Sequence, residues 1–405
     1  MNQAFSSPGN DIIASREWLT IVEPLMPIGG RMASLLPDTS DPQLRNEFYR
    51  YLYQKVASGY LALLHADPEH PDFWPIYHVA NSSLAANPDD TYYASPIDAQ
   101  GSYRISGHRG TSRIVDFQIG SGPLFATGTG TLGPVCANYD LDTLTIAQDR
   151  TFEVILSPER PAGYAGNWWK LEPQTTYLLA RQIFYDWHGE VDGRFAIERL
   201  DRPAIRPRMS AERLAKSLRH IAEWTESWTK FELAWPRNLR NKGLVNQLLV
   251  HDLTSVGGLS TQQYIEGMFE VNAGEALIYE SEIPERSRYW NIQLTDELWC
   301  AIDWMNRQTS LNGHSAVLDS DGKFRAVVCG EDPGVPNWLD SAGYTKGIFF
   351  GRWTECSSYP QPTIRRVKLA DLRKHLPADT PVVSAEARDI AIRLRRKGAQ
   401  LRHRW

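Results

Sequence analysis

Three short stretches of the chain combine titratable side chains with aromatic ones. In Asp186-Trp187-His188-Gly189-Glu190 a carboxylate and an imidazole stand two residues apart, the spacing that places both on one face of a strand. A carboxylate beside an imidazole favours the charged ring and holds its orientation, which suits proton transfer near neutral pH. Asp186 and His188 are therefore the candidate acid/base couple, with a plain surface pair as the competing role. The segment Leu298-Trp299-Cys300-Ala301-Ile302-Asp303-Trp304 surrounds one carboxylate with aromatic rings, and Asp89-Asp90-Thr91-Tyr92-Tyr93 sets two carboxylates before two tyrosines. Asp90, Tyr92, Tyr93, Trp299, Asp303 and Trp304 are the candidate ligand-binding residues, because aromatic surfaces that exclude water move the pKa of a neighbouring acid.

Other motifs lead elsewhere. Gly128-Thr129-Gly130-Thr131-Leu132-Gly133 spells GxGxxG, but a dinucleotide site needs a strand before it and a helix opening after it. Here Pro134 follows at once and another strand is expected, so the motif reads as a flexible loop. His65, His70, Asp72 and His78 form no HExxH or HxH pattern and read as a solvated helix end. No serine stands in a GxSxG elbow. Cys136, Cys300, Cys329 and Cys356 are scattered, make no CxxC pair and carry no mark of an activated thiolate. Thiols of this kind fit a reducing compartment, and a cytoplasmic location is expected. No metal and no cofactor is expected.

The elements that must position these residues alternate between helix and strand. Asp41-Pro42 opens a helix with an N-cap carboxylate and a proline at its first position, and apolar residues recur at helical spacing from Leu44 to Leu64. A second helix is expected from Ser210 to about Leu233, and a basic third from about Ser384, with Ile390, Ile392, Leu394 and Leu401 as its packing side. Strands are expected over 102–105, 112–119, 144–146, 152–156 and 176–185, and again over 276–281, 289–294, 316–318, 324–328 and 347–353.

The two strand series line up. Arg113 and Gln118 match Arg288 and Gln293, 175 positions on, and Asp149 and Phe152 match Asp321 and Phe324 at 172. Asn167-Trp168 matches Asn337-Trp338 at 170, and Arg181 matches Arg352 at 171. Ordered anchors with nearly constant offset imply an internal duplication. Many short strands without a βαβ rhythm make each copy a sandwich or jelly-roll-like sheet pair. The expected fold is mainly β with flanking helices (α+β). Its parts are a helical region over 1–94, β modules over 95–205 and 265–370, a helical linker over 206–264 and a basic helix over 371–405. Residues shared by both copies are expected to serve the fold: asparagine in turns, tryptophan in cores, arginine on loop carbonyls.

Asp332-Pro333-Gly334-Val335-Pro336-Asn337-Trp338-Leu339, then Arg352, Pro360 and Pro362, together with Tyr289-Trp290, Asn306-Arg307 and Ser310-Leu311, resembles the domain of unknown function 1214 family. Asn87-Pro88-Asp89-Asp90-Thr91-Tyr92-Tyr93, Ile97-Asp98 and the run from Tyr103 to Gly110 are similar to the N-terminal half of longer relatives of that family. The resemblance spans about residues 87 to 370 and implies a mainly β, two-domain architecture without implying a reaction.

Composition narrows the partners. The 405 residues are 42% hydrophobic and 22% charged, as in globular chains, and the net charge of −5 gives no footprint for nucleic acid. No apolar run reaches the length of a membrane helix, and residues 1–15 lack a secretion-signal pattern. The expected function is an enzyme of hydrolase or lyase/isomerase type acting on a small apolar or aromatic molecule in a cleft between the modules, by carboxylate/histidine chemistry without metal or nucleotide. The alternative is a non-catalytic protein binding a small molecule or carbohydrate. Neither nucleic acid nor membrane is an expected partner; a homo-oligomer is left open.

Overall fold

Helix formation follows the capping residues. In the computed structural model, which describes residues 16–402 apart from 17, 79, 127 and 129, the Asp41 carboxylate accepts the backbone N–H groups of Gln43 and Leu44 at the start of a helix. A short helix α1 (Ile28–Ala33) precedes this helix, α2 (Pro42–Tyr60). Ser210 caps α3 (Ala211–Asn241) through Arg213, and Ser384 caps α4 (Ala385–Leu401) through Ala387. Helix α3 continues past Leu233 with Pro236 inside it. Helix α4 packs the opposite way to expectation. Arg388, Gly398 and Ala399 face the protein, while Ile390, Leu394 and Leu401 are 58%, 52% and 62% exposed. Arg388 explains the inversion, because its guanidinium binds Asp332 and the carbonyl of Val335 while stacking on Trp338.

The duplication is complete at the level of strands. The first copy runs β1 (Trp74–Tyr77), β2 (Asp90–Pro96), β3 (Tyr103–His108), β4 (Ile114–Gly120), β5 (Val135–Asp140), β6 (Thr151–Ser157), β7 (Trp168–Lys170), β8 (Tyr177–Ile183) and β9 (Arg194–Arg199). The second runs β10 (Leu249–His251), β11 (Gln262–Glu270), β12 (Glu275–Ser281), β13 (Ser287–Thr295), β14 (Ser310–Asn312), β15 (Phe324–Cys329), β16 (Trp338–Asp340), β17 (Lys346–Cys356) and β18 (Thr363–Lys368). Their sheets repeat strand for strand. The order β1-β2-β8-β4-β5 returns as β10-β11-β17-β13-β14, and β7-β6-β3-β9 returns as β16-β15-β12-β18. The fold is mainly β, with four sheets in two similar halves and a few helices. The modules start earlier than expected, at Trp74 rather than 95 and at Leu249 rather than 265, so the region over 1–94 is not wholly helical.

Each module is a sandwich with its own core. Phe117, Val154, Trp169 and Leu178 fill the first; Phe269, Phe324, Phe349 and Trp353 fill the second. The five-stranded sheets are buried on both faces, which is why β4 and β8 carry no exposed residue. Their outer faces pack on α3 and on residues 61–63 after α2, through Trp74, Tyr92, Trp224 and Trp228 and through Leu239, Tyr264 and Phe350. Between the helices lies a buried ion pair, Lys55 to Glu232 at 2.5 Å, completed by Ser83 and by the Tyr51 hydroxyl.

The paired asparagines explain two expected strands that do not form. The Asn167 amide binds the carbonyls of Thr145 and Glu153 and accepts the Thr145 N–H; Asn337 binds the carbonyls of Val317 and Arg325 and accepts the Val317 N–H. These bonds pin 144–146 and 316–318 as loops, since a backbone group bonded to a side chain is withdrawn from a ladder. Trp168 is half-buried, with its indole N–H on Ser157, and its neighbour Trp169 fills the core instead. Asn337 is 7% exposed whereas Asn167 is half-buried. Replacing Asn337 with Ala should therefore lower unfolding free energy by about 2–4 kcal/mol, the scale of several buried groups left unpaired. Asn167→Ala should lose less, because water reaches the freed groups; urea unfolding of both variants checks the order.

Candidate functional site

The twin arginines meet the outer faces of the five-stranded sheets at equivalent places. Arg181 on β8 lies between Tyr92 and Asp116 in register, and Arg352 on β17 between Tyr264 and Asn291. Arg181 donates to Gln118 at 2.6 Å and to the carbonyl of Gly257 at 3.2 Å; Arg352 donates to Gln293 at 3.0 Å and to the carbonyl of Ala85 at 2.8 Å. Each arginine thus holds a glutamine of its own module and a loop of the other. The arrangement has the reciprocity of a pseudo-twofold axis. Arg113 and Arg288 are not reciprocal, since Arg113 donates to the carbonyl of Arg288 whereas Arg288 binds Asp140, Asp142 and Glu355.

Where the two exchanged loops meet the sheets there is a cavity of about 90 Å³. Its polar side holds Asp90, Arg181, Gln262 and Arg352, and its aromatic side holds Tyr77, Tyr92, Phe231, Trp235, Tyr264, Trp299 and Phe350. The twins Tyr92 and Tyr264 each accept a backbone N–H, from Asn87 and from Leu259. Trp299 stacks on Trp235 at 4.6 Å with planes 7° apart. It is 5% exposed, sits at φ +62°, and among the described residues its indole N–H has no acceptor. A non-glycine residue held in the left-handed region is strained by about 1–3 kcal/mol and persists only where its surroundings over-determine it.

Two carboxyls beside the arginines are hard to ionise. Burial pushes Asp90 up to about 7, against the opposing pull of Arg352 and Arg181. Burial does the same to Asp116, also to about 7, although Arg181 lies 3.9 Å away. Their twins are Gln262 and Asn291, which do not titrate.

The structure brings three expected site residues together and disperses the rest. Asp90, Tyr92 and Trp299 share the cavity. Tyr93 points the other way, into the first sandwich core, because neighbouring strand residues alternate faces. Trp304 packs edge-on against Trp187 beneath α4. Asp303 is exposed, accepts from the Asn306 amide, and borders a separate cavity of about 210 Å³ beside Asp296 and Cys300. Asp186 and His188 lie in a turn after β8 rather than on a strand, and Asp186 accepts the backbone N–H of His188. The imidazole is exposed against Gly398 of α4, so the expected couple lines no cavity described here.

The remaining motifs resolve simply. The GxGxxG run connects antiparallel β4 and β5, with Gly130 against the backbone of α3 at Ser227. Among the described residues no group of three or more His, Cys, Asp or Glu is placed to hold a metal ion. Burial raises all four thiols, so none is an activated thiolate. Among the described residues no helix is long and apolar enough to cross a membrane.

A protein of solved structure from Burkholderia cenocepacia, described as uncharacterized, is 30% identical, with 89% of this chain and 99% of that one covered and a TM-score of 0.80. The chain belongs to that protein's family. The VPA0106 protein from Vibrio parahaemolyticus is 13% identical over 79% of this chain and 98% of its own, with a TM-score of 0.43. A salicylate 1,2-dioxygenase from Pseudaminobacter salicylatoxidans is 10% identical over 80% and 83%, with a TM-score of 0.18. Likeness this slight carries no weight for fold or activity. No family model matches, and no curated protein matches.

For this family member the walls of the cavity define the chemistry. Arg181 and Arg352 were readable as twins that bind loop carbonyls, but their place in a cavity depends on the axis between modules. Asp116 supplies a pH test. Its raised folded value means that the folded state binds a proton the unfolded chain has already lost, so this group's contribution weakens stability as pH rises from about 4 to about 7. Asp116→Asn should flatten that slope by up to about 1.4 kcal/mol per pH unit, the linkage value for one proton. Urea midpoints at pH 5 and pH 8 should lie closer together in the variant than in the parent.

Proposed function

We propose that the chain binds a small, largely apolar molecule in the cavity between its two modules. The observation that carries this reading is the mixture of groups there: aromatic walls from both modules enclose two guanidinium groups, one carboxyl and the unpartnered indole N–H of Trp299. Mostly apolar walls with a few convergent polar groups are the usual make-up of a small-molecule site. A cavity of about 90 Å³ favours a small molecule over a carbohydrate, which needs a longer groove.

Catalysis is the second reading, and one contrast favours it. Asp90 stands where its twin is Gln262, so the sheet does not require a carboxyl at that position. An acid that titrates near 7 is matched to general acid/base work. The histidine half of the expected couple has no counterpart among the residues lining the cavity. Membership of the domain of unknown function 1214 group belongs to this proposal and rests on the Asn337-Trp338-Leu339 run and its surroundings. Four cysteines without a disulfide support a reducing, cytoplasmic setting.

A thermal-shift screen of small apolar and aromatic compounds tests the site. A ligand at a hundredfold excess over its Kd should add about 2.7 kcal/mol to stability. Ala86 lines the cavity, so Ala86→Leu should fill part of it and abolish the shift, with circular dichroism confirming the fold. If no compound stabilises the protein, or if Ala86→Leu responds like the parent, the reading fails.

A further inference from the structure

The pseudo-twofold axis gives cavity positions a twin, and the positions where twins differ show what the fold leaves free. The arginines and the pair Tyr92 and Tyr264 are the same on both sides, whereas Asp90 has Gln262 as its twin and Tyr77 has His251. We infer that the ligand is a short-chain carboxylic acid, held as its anion between Arg181 and Arg352, and that Asp90 takes up one proton as the anion enters. The inference rests on the cavity being the ligand site.

Donor capacity points to a carboxylate. A guanidinium has five N–H groups in a fixed fork that suits carboxylate oxygens. The bonds from Arg181 to Gln118 and Gly257 leave part of that fork free, and Arg352 is similarly placed over the ring of Phe350. Trp299 adds one more donor without an acceptor. Size then limits the body of the acid. About 90 Å³ is less than the roughly 150 Å³ of an engineered cavity that admits benzene. A chain of a few carbons fits without widening the walls.

Charge points to the proton. Asp90 is faced by Arg352 from β17, by Arg181 from β8, by Asp89 in its own loop, by Tyr92 on its own strand and by Tyr289 from β13, with the Asn87 amide donating to it at 2.7 Å. Asp116 stands on the far side of Arg181. With both carboxyls ionised, the two guanidiniums are neutralised and an anion gains nothing from them. Protonating Asp90 leaves one net positive charge for the incoming monoanion, and that anion in turn disfavours the charged form of a neighbouring carboxyl. The acid's carboxylate therefore enters with one proton from solvent, and no other bond changes.

Titration calorimetry on the full chain, with butyrate and its neutral isostere butyramide between pH 6 and pH 9, tests this. Butyrate should bind at least tenfold more tightly than butyramide at pH 6. Above about pH 7 its Kd should rise about tenfold per pH unit, and buffers of different ionisation enthalpy should report about one proton taken up at pH 8. In an Asp116→Asn background, which removes the second raised carboxyl beside Arg181, Asp90→Asn should keep butyrate binding and lose the pH dependence; an amide is tolerated at both positions because the twins are Gln262 and Asn291. Arg352→Met should erase the preference for butyrate, and should that variant not fold, Asp90→Asn decides. Butyramide binding as tightly as butyrate, or a pH dependence that survives Asp90→Asn in the Asp116→Asn background, overturns the inference while leaving the cavity reading intact. Binding of neither probe overturns it as well, and the Ala86→Leu comparison then judges the cavity on its own.

Discussion

Two buried guanidinium groups hold the molecule together, and each does so across the boundary between modules. A buried arginine must find acceptors for its donors and charge for its charge, or its desolvation is uncompensated. Arg181 and Arg352 find glutamine oxygens on the adjacent strand of their own sheet and carbonyls in the loop of the opposite module. Separating the modules would strand both groups at once. The reciprocity holds the loops over 81–89 and 252–261, the second with a short 3₁₀ turn at Thr254–Val256, against strands that are buried on both faces. It also explains the cavity, since two loops exchanged about an axis cannot close completely over the side chains on it.

Duplication supplies the frame, and departures from it supply the polar chemistry. At one edge of the axis Asp89, whose twin position is Thr261, is buried among three donors: the Trp187 indole, the Asn312 amide and the Tyr289 hydroxyl at 2.7 Å. Burial raises its pKa and the Tyr289 bond opposes that rise. Arg395 and Arg402 at the end of α4 oppose it as well, which gives the basic helix a role in compensating a buried carboxyl rather than in forming a free positive surface. Arg395 also ties α4 to the second module through Ser310 and stacks over Trp187. The helix is therefore held by arginines, and its leucines are left outside.

Anchored repeats and caps were legible before any coordinates. The constant offset between Asn167 and Asn337, or Arg181 and Arg352, survives because those residues bond backbone groups in geometry that only a similar fold reproduces. Asp41, Ser210 and Ser384 announced three helices for the same reason. What local spacing could not convey is where the chain turns. The rule that residues two apart share a face applies only inside a strand, and β8 ends at Ile183, so Asp186 and His188 fall in a turn. Tyr92 and Tyr93 are adjacent and so cannot both face the cavity; which one does is set by register. Strands of three or four residues such as β1, β7, β10 and β16 are too short to show alternation, which displaced the module boundaries.

The cavity draws residues from positions 77 to 352, so no window of sequence contains it. Shared and single-copy residues meet in it. Asp90 and Trp299 are single-copy features and line the cavity, yet the shared arginines line it too. A residue on a pseudo-symmetry axis serves both ends, because the axis is where the frame converges. The walls are nevertheless unequal. The loop between β13 and β14 contributes the strained Trp299, whose carbonyl accepts the Ala85 N–H, whereas the loop between β4 and β5 contributes Leu132 against Gly257. The carboxyl comes from one module and the unpartnered indole from the other. The proposed ligand would meet an acid on one side and a donor on the other, so a nearly symmetric frame would hold it in a single orientation.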